Sequence, residues 1–318
     1  MRQLAARVTV SRFAPAPTGY LHLGHVLNAI YVWGLTRAGG GRVLLRIEDH
    51  DRQRSRPEFE NAILEDLAWL GFVADAPTHR SAPSIREDGP APAISVGADL
   101  CVRPIRQSDR GSFYEGALAR LRDAGLVYAC QCSRAAIEQA QAVQGNGAER
   151  RYPGTCAAKH LAEAPGRGVR VRLPETIERF VDLRHGLQTQ RPSEQCGDLL
   201  VKDRDGNWTY QFAATVDDYV QGVTLVIRGD DLLASTGRQL LLARMLGRHV
   251  PPQFLHHALL MKSPTQKISK SDGDTGVRDL RVRGWTAAEV IGEAACRGGL
   301  IPEARPVEAA DVSSIMAR

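Results

Sequence analysis

Between Val8 and Gly71 the chain alternates strand and helix signals twice, and that alternation leaves few folds open. Val8-Thr9-Val10-Ser11-Arg12-Phe13 reads as a strand, after which Leu27, Ile30, Tyr31, Gly34, Leu35 and Ala38 recur at helical spacing. Gly39-Gly40-Gly41 stops that helix, and Arg42 to Ile47 is a second β-rich run. Ser55-Arg56-Pro57-Glu58 has the pattern of a capping box, opening a helix with Phe59, Ile63, Leu67 and Leu70 inward until Gly71. Two strand–helix units in succession mark a parallel sheet with right-handed crossovers, so the expected fold class is α/β.

Beyond this unit the pattern changes. Residues 74–104 are rich in Pro, Ala, Gly and Ser without a sustained period, as in a mobile surface excursion. A capped helix over 112–124, with Tyr114, Ala117, Leu118 and Leu121 on one side, precedes a cysteine-rich segment and a strand over 168–173, and this block reads as an insertion. Strand patterns at 198–202 and 223–227, a helix near 238–246 and a β-like run over 254–260 suggest that the first sheet then resumes. The resulting division is 1–105 and 196–260 for the two halves of the sheet domain, 106–195 for the insertion, and 261–318 for a loop and terminal helices.

With 43% hydrophobic and 24% charged residues the chain is globular rather than disordered or fibrous. No stretch has signal-peptide or membrane-spanning character, so a cytoplasmic protein without membrane contact is expected, and a monomer is the default. A formal charge of +5 is weak support for an anionic partner.

The segment from Pro15 to His25 lies between the first strand and its helix, where open parallel sheets bind ligands and a helix N-terminus attracts phosphate. His22 and His25 share a helical face and can donate to a transferring phosphoryl group, while Gly24 would admit a flat base. Helix-capping or surface histidines are an equal alternative. Lys267-Ile268-Ser269-Lys270-Ser271, ahead of the Asp272-Gly273-Asp274 turn, suits a pyrophosphate leaving group, although taken alone a solvated loop is the better reading of it. Asp217-Asp218, read on a strand, would point apart and so make a poor metal pair, and His256-His257 reads as structural. Cys130, Cys132, Tyr152 and Cys156 supply three thiols and a phenol around one loop, a set that could hold zinc, with His160 competing for the fourth place. Cys101, Cys196 and Cys296 have no motif and are expected as buried thiols.

Taken together, the histidine and lysine segments resemble the HIGH and KMSKS signatures of class I aminoacyl-tRNA synthetases, in the same order. Arg12 to Gly19, Arg46-Ile47-Glu48-Asp49 and Val216 to Thr224 are similar to the glutamyl branch, and the likeness runs from about Arg7 to Leu280. It implies a Rossmann-type doubly wound sheet, an inserted acceptor-binding-like α+β subdomain and a short C-terminal helical segment. It further implies glutamate activation by ATP with Mg2+, then acyl transfer to a hydroxyl of RNA. On this resemblance Arg12, Phe13, Ala14, Pro15, Ala16, Glu48, Tyr210 and Arg228 belong to the glutamate site. His22, Gly24, His25 and Lys270 belong to ATP, with His22, His25, Lys267 and Lys270 as the catalytic group. Ala16 stands where the family usually has Ser, which removes one hydroxyl hydrogen bond, typically worth about 1 kcal/mol.

The Cys-x-Cys and Tyr-x3-Cys arrangement resembles that of the short paralogues called glutamyl-queuosine tRNA(Asp) synthetases, which implies one structural zinc per chain on Cys130, Cys132, Tyr152 and Cys156. After Ser271 there remain 318 − 271 = 47 residues, too few for an anticodon-binding domain, so the expected RNA is queuosine-containing tRNA(Asp). The alternative is a minimal glutamyl-tRNA synthetase charging the 3′ end of tRNA(Glu). A silent RNA-binding paralogue is a third reading, opposed by the presence of His22, His25, Lys267 and Lys270.

Overall fold

In the computed structural model, which describes residues 8–76, 104–142, 151–263, 266–267 and 276–316, the first unit forms as its periodicity predicts. Strand β1 (Val10–Phe13) leads into α1 (Leu23–Ala38), then β2 (Arg42–Ile47) and α2 (Pro57–Leu70). β1 and β2 are parallel, with Val10 opposite Arg42 and Phe13 opposite Leu45, and β2 continues in parallel to β3 (Ile105–Arg106). Gly71, at φ 83°, takes the left-handed turn that ends α2. The capping box expected at Ser55 is not formed. The N-cap is Arg56, which makes no side-chain cap because a guanidinium has no acceptor to offer the N–H groups of the first turn, and Pro57 fills the first helical position.

Residues 77–103 of the expected excursion, Cys101 among them, lie outside the described residues. The next layer is α3 (Gly111–Asp123), β4 (Val127–Cys130), α4 (Arg134–Ala142) and β5 (Gly168–Val171). The expected side-chain cap of α3 is absent; a single 3-10 turn over Gln107–Arg110 runs straight into it. Then come β6 (Glu178–Asp182), β7 (Gly186–Gln190), the short α5 (Pro192–Gln195) and β8 (Leu199–Lys202). α6 (Tyr210–Val220), β9 (Leu225–Gly229), α7 (Thr236–Met245) and β10 (Gln253–His257) follow.

Pairing, rather than sequence order, decides which sheet each strand serves. β8 is antiparallel to β5, which is antiparallel to β4, so residues 199–202 close the inserted sheet and do not resume the parallel one. Conversely β6 runs parallel to β10, and β10 parallel to β9, with β7 antiparallel at the edge. β9 lies against β1, held by Thr224 N–H to the Val10 carbonyl at 2.8 Å. Read across, the order is β3-β2-β1 and then β9-β10-β6-β7, with the chain winding outwards in opposite directions from the β1/β9 join. That join is a topological switch point, where a crevice opens at the carboxyl ends of the strands.

Phe13, Leu27, Ile30, Trp33, Ile63 and Leu67 are buried between the sheet and its helices. After α8 (Val277–Val282), α9 (Ala287–Arg297) and α10 (Val312–Met316) cover the outer side of α1, and a second core forms around Tyr114, Leu118, Phe212 and Leu242. No helix among the described residues is long and apolar enough to cross a membrane.

Candidate active site and thiol cluster

The crevice is lined by a buried polar network. Arg46, fully buried on β2, donates to Asp218 at 2.7 Å and to Glu48 at 3.0 Å. Arg12 on β1 donates Nε to the same Asp218 oxygen at 3.0 Å and Nη1 to the Ile227 carbonyl of β9 at 3.3 Å. Burial opposes the Asp218 charge, yet Arg12 and Arg46 outweigh it and hold this carboxyl well below the usual range. Asp217 accepts from Gln107 and Tyr114, each at 2.8 Å, and from Arg110. The two aspartates therefore sit on α6, not on a strand, and both are committed to cations and neutral donors. The helix runs on to Val220 and turns out at Gly222, φ 65°, only after both carboxylates have been placed inward.

Arg228 on β9 is 4% exposed and differently held. Its Nε donates to His256 Nε2 at 3.0 Å, Nη1 to Gln239 Oε1 at 2.6 Å and Nη2 to Thr236 Oγ1 at 2.9 Å. Among the described residues no carboxylate pairs with it, so a permanent cation is buried against neutral acceptors alone. Such a charge is costly unless an anion joins it. Burial raises the Tyr210 hydroxyl pKa, with Arg228 working against that shift and Glu48 adding to it, which places Tyr210 in the same electrostatic neighbourhood.

The peptide segment before α1 turns along the same edge. Glu48 N–H donates to the Pro15 carbonyl at 3.0 Å, and Thr18 N–H to the Ala16 carbonyl at 2.8 Å. Phe13 packs its ring in the core 5.4 Å from Trp33, so it is its backbone that borders this edge.

His22 and His25 are brought together, with ring centroids 3.9 Å apart. His22 is the N-cap of α1: its Nδ1 accepts from Gly24 N–H at 3.0 Å, while His25 Nδ1 accepts from His22 N–H at 3.1 Å. The capping reading of the pair is the one this geometry shows. Because Nδ1 accepts in both, the proton of each neutral ring sits on Nε2. A Cβ on Gly24 would lie 2.8 Å from His22 Cε1, so the glycine makes room for that ring.

β11 (Met261–Ser263) and β12 (Gln266–Lys267) form a hairpin with Met261 opposite Lys267. Lys270 lies outside the described residues. Gly276 bridges His22, and Val277 N–H donates to the Leu21 carbonyl at 3.0 Å, so the chain returns to the histidines after the lysine run.

In the inserted sheet the sulfurs of Cys130, Cys132 and Cys156 lie within 4.8 Å of one another, Cys132 and Cys156 at 3.6 Å. Thiolates about 2.3 Å from one tetrahedral metal would be roughly 3.8 Å apart, so the donor set fits zinc. The Tyr152 hydroxyl stands 3.4 Å from Cys130 and 4.0 Å from Cys132, whereas exposed His160 is not in the group. Burial pushes the Cys132 thiol up to about 11, and a metal would have to reverse that. Cys196 is buried as expected, but Cys296 is partly exposed near the end of α9.

A doubly wound sheet whose first helix opens on His22 and His25 at the switch point, beside buried arginines, defines a class I aminoacyl-tRNA synthetase catalytic fold. Residues 8–306 match the family of tRNA synthetases class I (E and Q), catalytic domain, and the chain belongs to that family of ligases. It is 40% identical over 305 residues to the glutamyl-Q tRNA(Asp) synthetase of Symbiobacterium thermophilum, covering 93% of this chain and 88% of that one. To the protein of the same name from Rhodobacter capsulatus it is 35% identical, covering 88% and 98%. Glutamate–tRNA ligase 2 of Syntrophus aciditrophicus is also 35% identical, but the chain spans only 58% of it. The crystal structure of a glutamate tRNA ligase from Elizabethkingia meningosepticum in complex with its amino acid superposes with a TM-score of 0.73 at 26% identity. That match covers 96% of this chain and 64% of the solved one, so the chain spans under two thirds of that enzyme's length.

Proposed function

We propose that this chain activates L-glutamate with ATP to glutamyl-adenylate, releasing pyrophosphate, and transfers the glutamyl group to queuosine at the wobble position of tRNA(Asp). The observation that carries glutamate is Arg228, a buried cation held only by neutral groups, which favours an anionic side chain over a neutral isostere. Arg12, aligned by Asp218 and Ile227, supplies a second guanidinium, and Glu48, tethered by Arg46, faces the substrate ammonium. The backbone of Ala14, Pro15 and Ala16 borders that pocket. His22 and His25 donate to the phosphoryl oxygens through Nε2, and Lys267 and Lys270 neutralise the leaving pyrophosphate accompanied by Mg2+.

Zinc on Cys130, Cys132, Cys156 and Tyr152 would brace the loop between β4 and β5, away from the strand ends. Queuosine as acceptor rests on the names of the relatives in Symbiobacterium and Rhodobacter, whose lengths this chain covers at 88% and 98%. An anticodon loop offers splayed bases that a basic cleft can stack and hydrogen-bond, and the reading includes a cytoplasmic monomer. The second reading, charging of the 3′ end of tRNA(Glu), is favoured by the similarity to the Syntrophus ligase. Labelled glutamate appearing as a base-labile product on queuosine-containing tRNA(Asp), and not on the same tRNA from cells unable to make queuosine, is the expected result. Efficient charging of unmodified tRNA(Glu) would favour the second reading instead.

A further inference from the structure

His256, on β10, has a carboxylate on one ring nitrogen and a guanidinium on the other. Its Nδ1 lies 2.7 Å from Asp182 Oδ2, at the end of β6, and its Nε2 accepts from Arg228 Nε at 3.0 Å and lies 3.2 Å from Thr236 Oγ1. A guanidinium has no acceptor, so the Arg228 contact requires a lone pair on Nε2 and places the single imidazole proton on Nδ1. The Asp182 contact could be taken for an ion pair with a protonated ring, but a proton on Nε2 would face the Arg228 N–H. Burial and the Arg228 charge push the imidazole down to about 4, in agreement with a neutral ring. Asp182 is itself anchored, since its other oxygen accepts from the Arg184 and His185 N–H groups at 3.0 Å each.

We infer that Asp182 and His256 are positioning residues for amino-acid selection: Asp182 locks the Nδ1–H tautomer of His256, and neutral His256 aims the Arg228 fork without neutralising it. Asp182 is one residue removed from direct contact with Arg228, and the chain of contacts joins three adjacent strands, β6, β10 and β9. An acidic group in place of His256 would cancel the charge that attracts an anionic substrate, and a second cation would expel Arg228. Only a neutral acceptor of fixed orientation leaves the guanidinium both aligned and charged. The inference rests on the glutamate reading above.

The decisive variant is Asp182→Asn, which is nearly isosteric. Oδ1 must still accept from two backbone N–H groups, so the amide nitrogen turns toward His256, Nδ1 becomes an acceptor, and Nε2–H confronts Arg228. In pyrophosphate exchange, KM for glutamate should rise about 10- to 100-fold in Asp182→Asn and His256→Leu, as for loss of a charged buried hydrogen bond, with KM for ATP changed less than about twofold. His256→Gln, which offers an amide oxygen to Arg228, should recover most of the loss. Long-range 1H–15N spectra should show the wild-type ring as the Nδ1–H tautomer and the Asp182→Asn ring as Nε2–H. Unchanged KM for glutamate, equal rises for glutamate and ATP, or an Nε2–H tautomer in the wild type would overturn the inference. A wild type that exchanges with another amino acid but not with glutamate overturns the reading of the substrate, while the tautomer measurement still decides this one.

Discussion

Arg46 on β2 donates to Asp218 on α6 at 2.7 Å across 172 residues of sequence, and that contact ties the first half of the parallel sheet to the second. Because Arg12, proposed to hold the glutamate side chain, shares the same Asp218 oxygen, stability and the proposed substrate site are joined at one atom. Asp218→Ala should leave two buried guanidinium groups short of a partner and destabilise the chain by about 3–5 kcal/mol. Urea unfolding followed by circular dichroism measures this, and a loss under about 1 kcal/mol would mean that water relieves both cations.

The same carboxylate sets an acid limit. Its folded pKa lies below that of an unfolded aspartate near about 3.9, so its contribution is fully present above that value and is lost as pH falls from there toward the lower folded pKa. Unfolding free energy of the wild type should therefore drop steeply below about pH 4, and the drop should be shallower in Asp218→Asn, which has nothing to protonate there. Parallel slopes in the two proteins would show that other carboxylates govern the acid limb.

Most of the first sheet was legible because its helices carry one apolar face and its turns are glycines; Gly71 at φ 83° is where the pattern placed a stop. Residues 199–202 carry a strand pattern but pair with β5 and not with the parallel sheet, since alternation reports that a strand exists but not which edge it meets. The motif carrying Glu48 is legible in the sequence, yet the part of Arg46 in it is not, because its partners are far away in the chain. Its signal was an arginine within Val43-Leu44-Leu45-Arg46-Ile47, a charge in a buried strand that had to be paired somewhere. His256 was read as structural. Its contact with Arg228 depends on β9 and β10 being neighbours, which no local spacing encodes.

Zinc should be present at one per chain in protein purified without chelator, and Cys156→Ser should abolish it and lower the melting temperature. The thiols must lose their protons to bind metal, so zinc should be released as pH falls, with the burial that raises Cys132 adding to the sensitivity. Elemental analysis of both proteins, before and after dialysis at mildly acidic pH, checks the claim. Stoichiometric metal retained by Cys156→Ser would place the site elsewhere.

Lys270, in the run that leaves Lys267 and returns beside His22, is assigned to the charge that builds on the leaving pyrophosphate. Stabilising the transition state more than bound ATP, it should affect turnover and not affinity. Lys270→Ala is expected to lower kcat for pyrophosphate exchange on the order of a hundredfold, with KM for ATP nearly unchanged. Exchange at close to the wild-type rate would remove the lysine from the reaction.

A substitution at Gly24 separates the capping role of His22 from the catalytic role proposed for it. A Cβ at that position would fall 2.8 Å from His22 Cε1 and 3.0 Å from Nδ1, so Gly24→Ala must displace the imidazole from the helix start. The lost cap costs about 1 kcal/mol, and replacing glycine by alanine within a helix returns about as much. Stability should therefore change little. Activity should not be spared if His22 acts as proposed, because the displaced ring no longer sits 3.9 Å from His25. Pyrophosphate exchange is expected to fall more than about tenfold while the melting temperature stays within a few degrees of the wild type. Equal loss of both would mean that the histidines only hold the helix, and loss of neither would mean that the ring has room the glycine does not provide.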